Sequence, residues 1–365
     1  MLPLVRARHR ERTFGDIGLE LSLEAMHMLQ LCRRGESLEV NAHAAIPYPG
    51  ASAELIDDAK QFAQLVKQGL KQSKFSGRRV VAAMPASVTQ VMPVSYQSSS
   101  DQGDDAAIGQ LMRERIGDGI SEFVIDYMPV QTLYTGREKL ALVAICREET
   151  AVKYLELLRK AGLSVSALEI GPIAIRRLIA SMQAVTPDQN TLVVNCGRDK
   201  SYLTLLSDSR LLADDEIEFG EQTVLGKIAT TLDMPPELAA DLVKKVNLDP
   251  TFKHTDPELA RNAEALGSIL KPELARLVDE IQRGLMFATS ESRGTRTSQV
   301  YLLGSIARWP GATELLASMA ETPVAPIPSP LTLFPTEQAD ANTPDMGPEV
   351  AVATGLALRT FMDHG

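Results

Sequence analysis

The strongest constraint on the fold is a local pattern that the chain contains twice. Residues 16 to 45 predict two apolar strands around the polar turn at 33 to 37, and residues 191 to 206 predict a strand, a turn with a glycine and a second strand. Helical patterns follow both elements. Such doubling is typical of two α/β lobes that face each other across a cleft, and a cleft of this kind is a common place for a ligand.

The first element begins with an interrupted pattern, DIGLELSLEAMHMLQL, at residues 16 to 31. We interpret it as one strand that Gly18 and the acidic Glu20 disturb and that the apolar residues from Met26 to Leu31 continue. A carboxylate close to a glycine at a strand turn is also how several nucleotide-binding folds begin a phosphate loop. The residues alone therefore leave two interpretations open, a turn within the core and a part of a nucleotide cleft.

Helix and strand periodicities divide the rest of the chain into short elements. A small α+β unit follows a polar loop at 95–105, with a helix at 106–116, strands at 123–133 and 139–146, and a helix at 150–161. The other predicted strands are at 79–84, around 91, at 164–168 and at 300–304. The other predicted helices are around 55–70, from 171 onward, at 222–232, at 237–246, in a long stretch that ends at 288, from 311 onward and at 349–361. A proline-rich stretch occupies 323–348.

Composition limits the classes of function. The chain has 365 residues, of which 44% are hydrophobic, and this is enough for two or more lobes with proper cores. Its formal net charge of −10 argues against nucleic acid as the main partner. Cys32, Cys146 and Cys196 lie far apart and form no CxxC pair, so we expect reduced thiols and neither a disulfide nor a metal site.

Membrane contact by the chain itself is predicted only at its basic start. No apolar run approaches the ~18 residues that a membrane span needs, and the first residues lack the apolar core of a signal peptide. The cluster of Arg6, Arg8, Arg10 and Arg12 is interpreted either as a frayed, soluble leader or as an arm that lies on acidic lipid headgroups.

Five motifs follow one another in a specific order: IGLELSLEAMHMLQL at 17–31, LVVNCGRDKSYLTLL at 192–206, FGEQTVLGKIATTLDMPPELAADLVKK at 219–245, YLLGSIARWPG at 301–311 and VATGLALRTF at 352–361. Together they resemble the PilM family, the actin-like proteins of type IV pilus assembly, which includes the MshI proteins of mannose-sensitive haemagglutinin (MSHA) pili. In that family these segments are the first and second phosphate segments, the FGG element with its helix, the adenosine segment and the closing helix.

The resemblance implies an α/β, actin-like (Hsp70/actin/FtsA-type) two-lobed fold with an FtsA-like inserted α+β subdomain. The implied division of the chain is the N-terminal part of the first lobe at 1–79, the inserted subdomain at 80–180, the second lobe at 181–340, and a C-terminal helix that returns to the first lobe at 341–365.

The resemblance also implies residues that would hold ATP with magnesium between the lobes. They come from the two phosphate segments, the FGG-like element and the adenosine segment, and they are Gly18, Glu20, Ser22, Asn195, Gly197, Ser201, Gly220, Gly304 and Ser305. No catalytic residue and no set of metal ligands is predicted.

Several positions in these segments depart from the family pattern. The departures are Leu23 and Glu24 for small or hydroxyl residues, His27 for a lysine, Asn195 for an aspartate, Arg198, Asp199 and Lys200 for small or hydroxyl residues, and Glu221 and Ser305 for glycines. They add charge and bulk where glycine lets the backbone approach a phosphate. We therefore expect a nucleotide cleft that has lost the ability to turn ATP over, although Arg198 and Lys200 could themselves hold a phosphate.

The function that the resemblance implies is that of a scaffold. Such proteins take the short cytoplasmic N-terminal tail of a membrane-anchored PilN-like partner in the groove between the first lobe and the inserted subdomain, and work with other components of the pilus assembly platform. We accordingly expect a cytoplasmic protein that associates with the inner membrane through its partners and binds no nucleic acid. Two alternatives stay open: a functional ATP-binding protein, ATPase or small-molecule kinase of the actin-like superfamily, and a filament-forming protein.

Overall fold

The computed structural model describes residues 12–22, 24–48, 52–98, 103–130, 138–182, 190–207, 210–291, 297–336 and 346–362. Several sequence predictions lie outside these residues. They are the basic start before Arg12, residue Leu23, the loop at 99–102, the end of the predicted strand at 131–133, and residues 337–345 of the proline-rich stretch.

The described residues form thirteen strands, eleven α-helices and four short 3-10 helices. The strands are β1 (Arg12–Leu21), β2 (Ala25–Arg34), β3 (Ser37–Pro47), β4 (Arg79–Met84), β5 (Gln90–Gln97), β6 (Phe123–Val130), β7 (Glu138–Arg147), β8 (Ser164–Ile170), β9 (Asn190–Cys196), β10 (Ser201–Ser207), β11 (Arg210–Ile217), β12 (Thr297–Gly304) and β13 (Val324–Pro326). The helices are α1 (Ser52–Asp57), α2 (Ala59–Gln72), α3 (Asp104–Ile116), α4 (Glu148–Lys160), α5 (Gly171–Met182), α6 (Glu221–Thr231), α7 (Pro236–Lys245), α8 (Pro257–Glu291), α9 (Ala312–Ala320), α10 (Pro330–Leu333) and α11 (Ala351–Met362).

Two five-stranded sheets repeat one topology. The first has the order β3-β2-β1-β4-β8 and the second has the order β11-β10-β9-β12-β13. In both sheets the first three strands are antiparallel, and the last two run parallel to the central strand, which is β1 in one and β9 in the other. The sequence prediction of a doubled α/β arrangement is therefore confirmed. We refer to the two sheets with their helices as the first and second lobes.

The prediction of one interrupted strand at 16–31 is wrong. The chain reverses after Leu21, so that β1 and β2 form an antiparallel hairpin in which Glu20 pairs with His27. The hydroxyl of Ser22 organises this turn, because it accepts the N–H groups of Glu24 and Ala25 at 3.3 and 3.1 Å. A serine that supplies such local hydrogen bonds replaces the glycine or proline that marks most turns.

Two further elements differ from the predictions. The single helix expected around 55–70 is two helices, because the carboxylate of Asp58 accepts the N–H groups of Lys60 and Gln61 and begins α2 as its N-cap. Strand β11 was not predicted, since the acidic residues Asp214 and Asp215 interrupt its apolar pattern.

A third sheet, with the order β5-β7-β6, packs on α3 around its own core. Strands β4 and β8 fall inside the subdomain predicted at 80–180, yet both belong to the sheet of the first lobe. The residues that form the three-stranded sheet run from 90 to 147. We therefore propose this narrower range for the inserted subdomain.

Helix α11 lies directly on the first lobe. A Cβ atom at Gly18 of β1 would stand 2.0 Å from the carbonyl oxygen of Ala353, and a Cβ at Gly355 would stand 2.0 Å from that of Ala174. Only glycine permits this backbone-to-backbone contact. The contact fixes the start of α11 beside β1, at the edge of the space between the lobes. Among the described helices, none is long and apolar enough to cross a membrane.

Candidate functional site in the cleft between the lobes

A cavity of about 1150 Å³ lies between the two lobes and extends to the three-stranded sheet. Its walls come from the β1–β2 turn, the β9–β10 turn, the end of β12 and the residues around the start of α11. Six of the predicted site residues line it together: Glu20, Ser22, Asn195, Gly197, Gly304 and Ser305. The structure thus brings together three segments that lie far apart in the sequence, around residues 20, 195 and 304.

The other three predicted residues lie behind the wall. Gly18 contacts α11, as described above, and a Cβ at Gly220 would stand 2.4 Å from the carbonyl oxygen of Arg198. The buried hydroxyl of Ser201 donates to the carbonyl oxygen of Phe219 at 2.7 Å. In this structure all three residues hold the backbone of the cleft in place.

In the first turn, the described donors of Ser22, Glu24 and Ala25 are already used within the turn. The N–H of Ser22 donates to Ala25 at 3.0 Å, and its hydroxyl both accepts from two backbone N–H groups and donates to the Ala25 carbonyl at 2.9 Å. The phenol of Tyr48 donates to the carbonyl of Ser22 and closes the turn from outside. A phosphate-binding turn instead leaves several N–H groups free to point at the anion.

The second turn is closed in a similar way. The N–H of Gly197 donates to Lys200 at 3.0 Å, and the first N–H groups of α6, at Glu221 and Gln222, donate to the carbonyls of Gly197 and Arg198 at 2.9 and 2.8 Å. The positive end of α6 therefore rests on the turn itself.

The end of β12 packs tightly against this second turn. Gly304 has φ +86°, and a Cβ there would stand 2.0 Å from the carbonyl oxygen of Cys196. The N–H and the hydroxyl of Ser305 both donate to the same carbonyl, at 2.8 and 3.1 Å. Glycine at 304 is therefore required by this contact, and Ser305 is part of the same backbone junction.

Two cations of the cleft are paired with neighbouring acids. Lys200 lies 2.5 Å from Glu216 and 3.2 Å from Glu218, whereas Arg198 is exposed. Arg308, which the sequence reasoning did not identify, lies 2.5 Å from Glu24 across the cleft. No sequence signal could have found this pair, because its partners stand 284 residues apart.

Uncharged titratable groups lie at the first-lobe side of the cleft. Burial raises the pKa of Glu20 to about 8, and the main chain of Ala353 opposes the shift. Burial lowers the pKa of His27 to about 3, with smaller contributions from His43 and Arg308, and it lowers that of His43 to about 4. Among the described residues, no hydrogen-bond partner reaches Oε2 of Glu20, Nδ1 of His27 or either ring nitrogen of His43.

The second lobe adds an acidic wall. Burial raises the pKa of Asp214 to about 7, although the hydroxyl of Thr204 donates to this carboxyl at 2.6 Å and opposes the shift. Asp215 and Glu216 continue the wall, and the pKa of Asp215 is also raised by burial. Within the described parts of the chain, no group of three or more His, Cys, Asp or Glu side chains is arranged to hold a metal ion.

Comparisons with known proteins agree with this architecture. The model of the family described as type IV pilus assembly protein PilM matches residues 18–361. Among solved structures, the chain is similar to the PilM-PilN type IV pilus biogenesis complex, with 23% identity over 95% of this chain and 98% of the other and a TM-score of 0.74.

Two more distant structures have the same fold. The ethanolamine utilization protein EutJ from Carboxydothermus hydrogenoformans is 14% identical over 95% of this chain and 89% of its own, with a TM-score of 0.54. MreB 5 of Spiroplasma citri bound to AMPPNP is 11% identical over 85% and 90%, with a TM-score of 0.50. These likenesses confirm the predicted actin-like α/β fold.

Proposed function

The chain belongs to the family of the type IV pilus assembly protein PilM, and we propose that it acts there as a cytoplasmic scaffold without ATP turnover. In this role it binds the cytoplasmic N-terminal tail of a membrane-anchored PilN-like protein and is held at the inner membrane, with other platform components, through that contact. The family match over residues 18–361 carries the proposal. The similar solved structure, a PilM-PilN complex, supports the choice of partner.

The groove for the tail is the part of the cavity next to the three-stranded sheet. Val88 and Met92 before and within β5, and Phe123 at the start of β6, supply half-buried apolar surface there. Arg115 and Arg147 stand at the rim, and the guanidinium of Arg147 lies 5.2 Å from the centre of the Phe123 ring. A short extended peptide binds such a groove through apolar pockets and main-chain hydrogen bonds.

The residues present do not fit a magnesium nucleotide. The described N–H groups of the first turn, those of Ser22, Glu24 and Ala25, are bonded within that turn, and the first N–H groups of α6 are bonded to the second turn. The pair of Glu24 and Arg308 joins the lobes, and further carboxyl groups, those of Glu20 and Glu349, line the same cavity. A polyphosphate would bring further negative charge beside the Glu24 carboxylate, and it would disfavour ionisation of the buried Glu20 carboxyl. The proposed scaffold role therefore uses no ATP.

A nucleotide-binding function is the second candidate. The observation in its favour is that six predicted site residues line one cavity of about 1150 Å³. An MreB protein of similar fold was solved with AMPPNP, which supports a nucleotide at the corresponding place only by analogy of fold.

The scaffold proposal is tested by calorimetric titration with a synthetic peptide of the N-terminal tail of the PilN-like protein from the same organism. We expect binding without nucleotide, and a loss of about tenfold or more in affinity for Met92→Glu, since a charge would enter the apolar groove. Met286→Glu is the matched control, because Met286 is 65% exposed on α8 and lies outside the cavity lining. Absence of binding to the unaltered chain, or binding only with Mg-ATP, would contradict the proposal. Equal losses of peptide affinity for Met92→Glu and Met286→Glu would mean that the tail binds outside this groove.

A further inference from the structure

We propose that the cavity between the lobes is a binding site for a small organic cation, whose guanidinium or ammonium group is held by Glu20 and Glu349. This ligand is distinct from the partner tail, which occupies the end of the cavity at the three-stranded sheet. The inference does not depend on the scaffold proposal.

The proposed site is a ring of neighbouring polar side chains at the first-lobe end of the cavity. Glu20 and His27 are cross-strand partners in the β1–β2 hairpin, and both line the cavity. Arg308 lies within electrostatic reach of His27 and of Glu349. Glu349 precedes α11 by two residues, and Ala353 in the first turn of this helix contacts Glu20. The ring thus closes through the start of α11.

The ring contains buried polar atoms that lack a partner among the described residues. They are Oε2 of Glu20, Nδ1 of His27 and Oε2 of Glu349. The exposed fractions of Glu20 and His27 are only 8% and 3%. Buried polar atoms in folded proteins are almost always hydrogen bonded, so three such atoms beside one cavity indicate a missing donor. Both carboxyl oxygens can accept the N–H groups of a guanidinium or an ammonium.

The distribution of charge favours a cation. Of the cations that line the cavity, Lys200, Arg308 and Arg147 already have acidic partners, in Glu216, Glu24 and Glu122 respectively, and Arg115 stands at the end next to the three-stranded sheet. Glu20, Glu349, Asp214 and Asp215 also line it, and no ion pair to any of them occurs among the residues that the structure describes. A ligand that supplies positive charge would pair carboxyl groups that the chain leaves unpaired.

An organic cation fits better than a metal ion. In the described part of the chain, no three His, Cys, Asp or Glu side chains converge closely enough to coordinate a metal. The groups around Glu20 are spread over several elements. Its strand partner is His27 on β2, and Tyr48 after β3 and Tyr154 on α4 lie within electrostatic reach of it. His43 on β3 and Arg308 after β12 lie within reach of His27, and Glu24 and Glu349 lie within reach of Arg308. A planar guanidinium reaches separated acceptors, whereas a metal needs them at one point.

Cation binding would ionise Glu20. Burial keeps the pKa of this carboxyl at about 8, so the group is mostly protonated at pH 7. A bound cation favours the carboxylate and lowers its pKa. The carboxyl therefore releases its proton to the buffer when the ligand binds at pH 7, and the affinity rises between pH 6 and 8.

The test is isothermal titration calorimetry with agmatine, at pH 7, in two buffers of different ionisation enthalpy. We expect binding with release of nearly one proton, as the buffer dependence of the heat reports. Glu20→Gln should remove the proton release and weaken binding by about tenfold, since it deletes one charged hydrogen bond. The control is Glu237→Gln, an exposed acid on α7 that lies outside the cavity lining and should leave both quantities unchanged.

Two further arms keep the test decisive. Glu349→Gln should weaken binding even where Glu20→Gln fails to fold. N-butylurea, which presents a neutral urea in place of the guanidinium, should not bind. The proposal is overturned by the absence of binding of millimolar agmatine, by equal affinity for N-butylurea, or by unchanged affinity in both glutamine variants. It is also overturned if Mg-ATP binds in a way that Glu20→Gln abolishes while agmatine does not bind.

Discussion

The carboxylate of Glu24 lies 2.5 Å from the guanidinium of Arg308, and this ion pair joins the first turn of one lobe to the segment after β12 in the other. The two residues belong to the segments that resemble the first phosphate segment and the adenosine segment. In this chain a contact between side chains spans the cleft at that place. The lobes are therefore joined by residues of the chain itself.

The coupling between Glu24 and Arg308 should be measurable but small. Their side chains are 30% and 43% exposed, so solvent screens the pair and we expect a coupling free energy of about 0.2–1 kcal/mol. Urea unfolding of Glu24→Gln, Arg308→Gln and the double variant gives this value as a double-mutant cycle. The coupling should shrink in 1 M NaCl, where the Debye length is about 3 Å. Strict additivity of the two single changes at low salt would show that the pair does not join the lobes in solution.

The substitution Asn195→Asp should not create ATPase activity. It restores the acid that the family pattern has at this position, but the N–H groups of Gly197, Glu221 and Gln222 remain bonded within the chain. A carboxylate whose neighbouring N–H groups are already bonded lacks part of the preorganised donor set that stabilises a phosphate in the transition state. Phosphate release from Mg-ATP should therefore stay at the level of the unaltered chain. A rise above that level would mean that the unaltered site lacks only the negative charge of the aspartate and is otherwise intact.

Gly18→Ala should destabilise the fold rather than act on a ligand. The new Cβ would stand 2.0 Å from the carbonyl oxygen of Ala353, so α11 must shift, and we expect a loss of about 1–3 kcal/mol in the free energy of unfolding. Gly267→Ala in α8 is the matched control, because a Cβ there meets no atom within 4 Å. That change should stabilise by about 0.4–1 kcal/mol. Equal denaturation midpoints for both variants would refute the described packing of α11 on β1.

The stability of the protein should fall with rising pH because of Glu20. Its folded pKa of about 8 exceeds the usual 4.5, so the folded state binds more protons than the unfolded state between these values. The contribution of Glu20 is therefore complete below pH 4.5, declines up to about pH 8 and is constant above. Glu20→Gln should gain stability relative to the unaltered chain as the pH rises through this window, whereas Glu237→Gln should show a flat difference. A flat difference for Glu20→Gln as well would mean that this carboxyl is solvated.

Local patterns predicted the elements whose signals are strong and short-ranged. Strand β4 is a continuous apolar run that ends before Pro85, and α4 has an apolar face that includes Tyr154 and Leu158. The hairpin of β1 and β2 was missed because its turn depends on the hydroxyl of Ser22 and contains neither glycine nor proline. Strand β11 was missed because acids that face the cleft break its apolar pattern.

The candidate site could be predicted only where its residues resemble family motifs. Those motifs located both turns, and the structure brings Glu20 and Asn195 to one cavity. They gave no indication of Arg308, His43 or Glu349, whose surroundings depend on contacts between segments far apart in the chain. Whether a donor is free or already bonded is likewise a property of the folded turn, since the same residues could adopt either arrangement.

The central claim, that the chain works without nucleotide, is tested most directly by thermal unfolding with and without millimolar Mg-ATP at matched ionic strength. A ligand at a hundred times its dissociation constant stabilises the folded state by about 2.7 kcal/mol, which shifts a melting curve by several degrees. We predict no shift, because the N–H groups of Ser22, Glu24 and Ala25 at the first turn and of Gly197, Glu221 and Gln222 at the second are bonded within the chain. A clear shift with Mg-ATP that magnesium alone does not produce would contradict the account and make the cleft a nucleotide site.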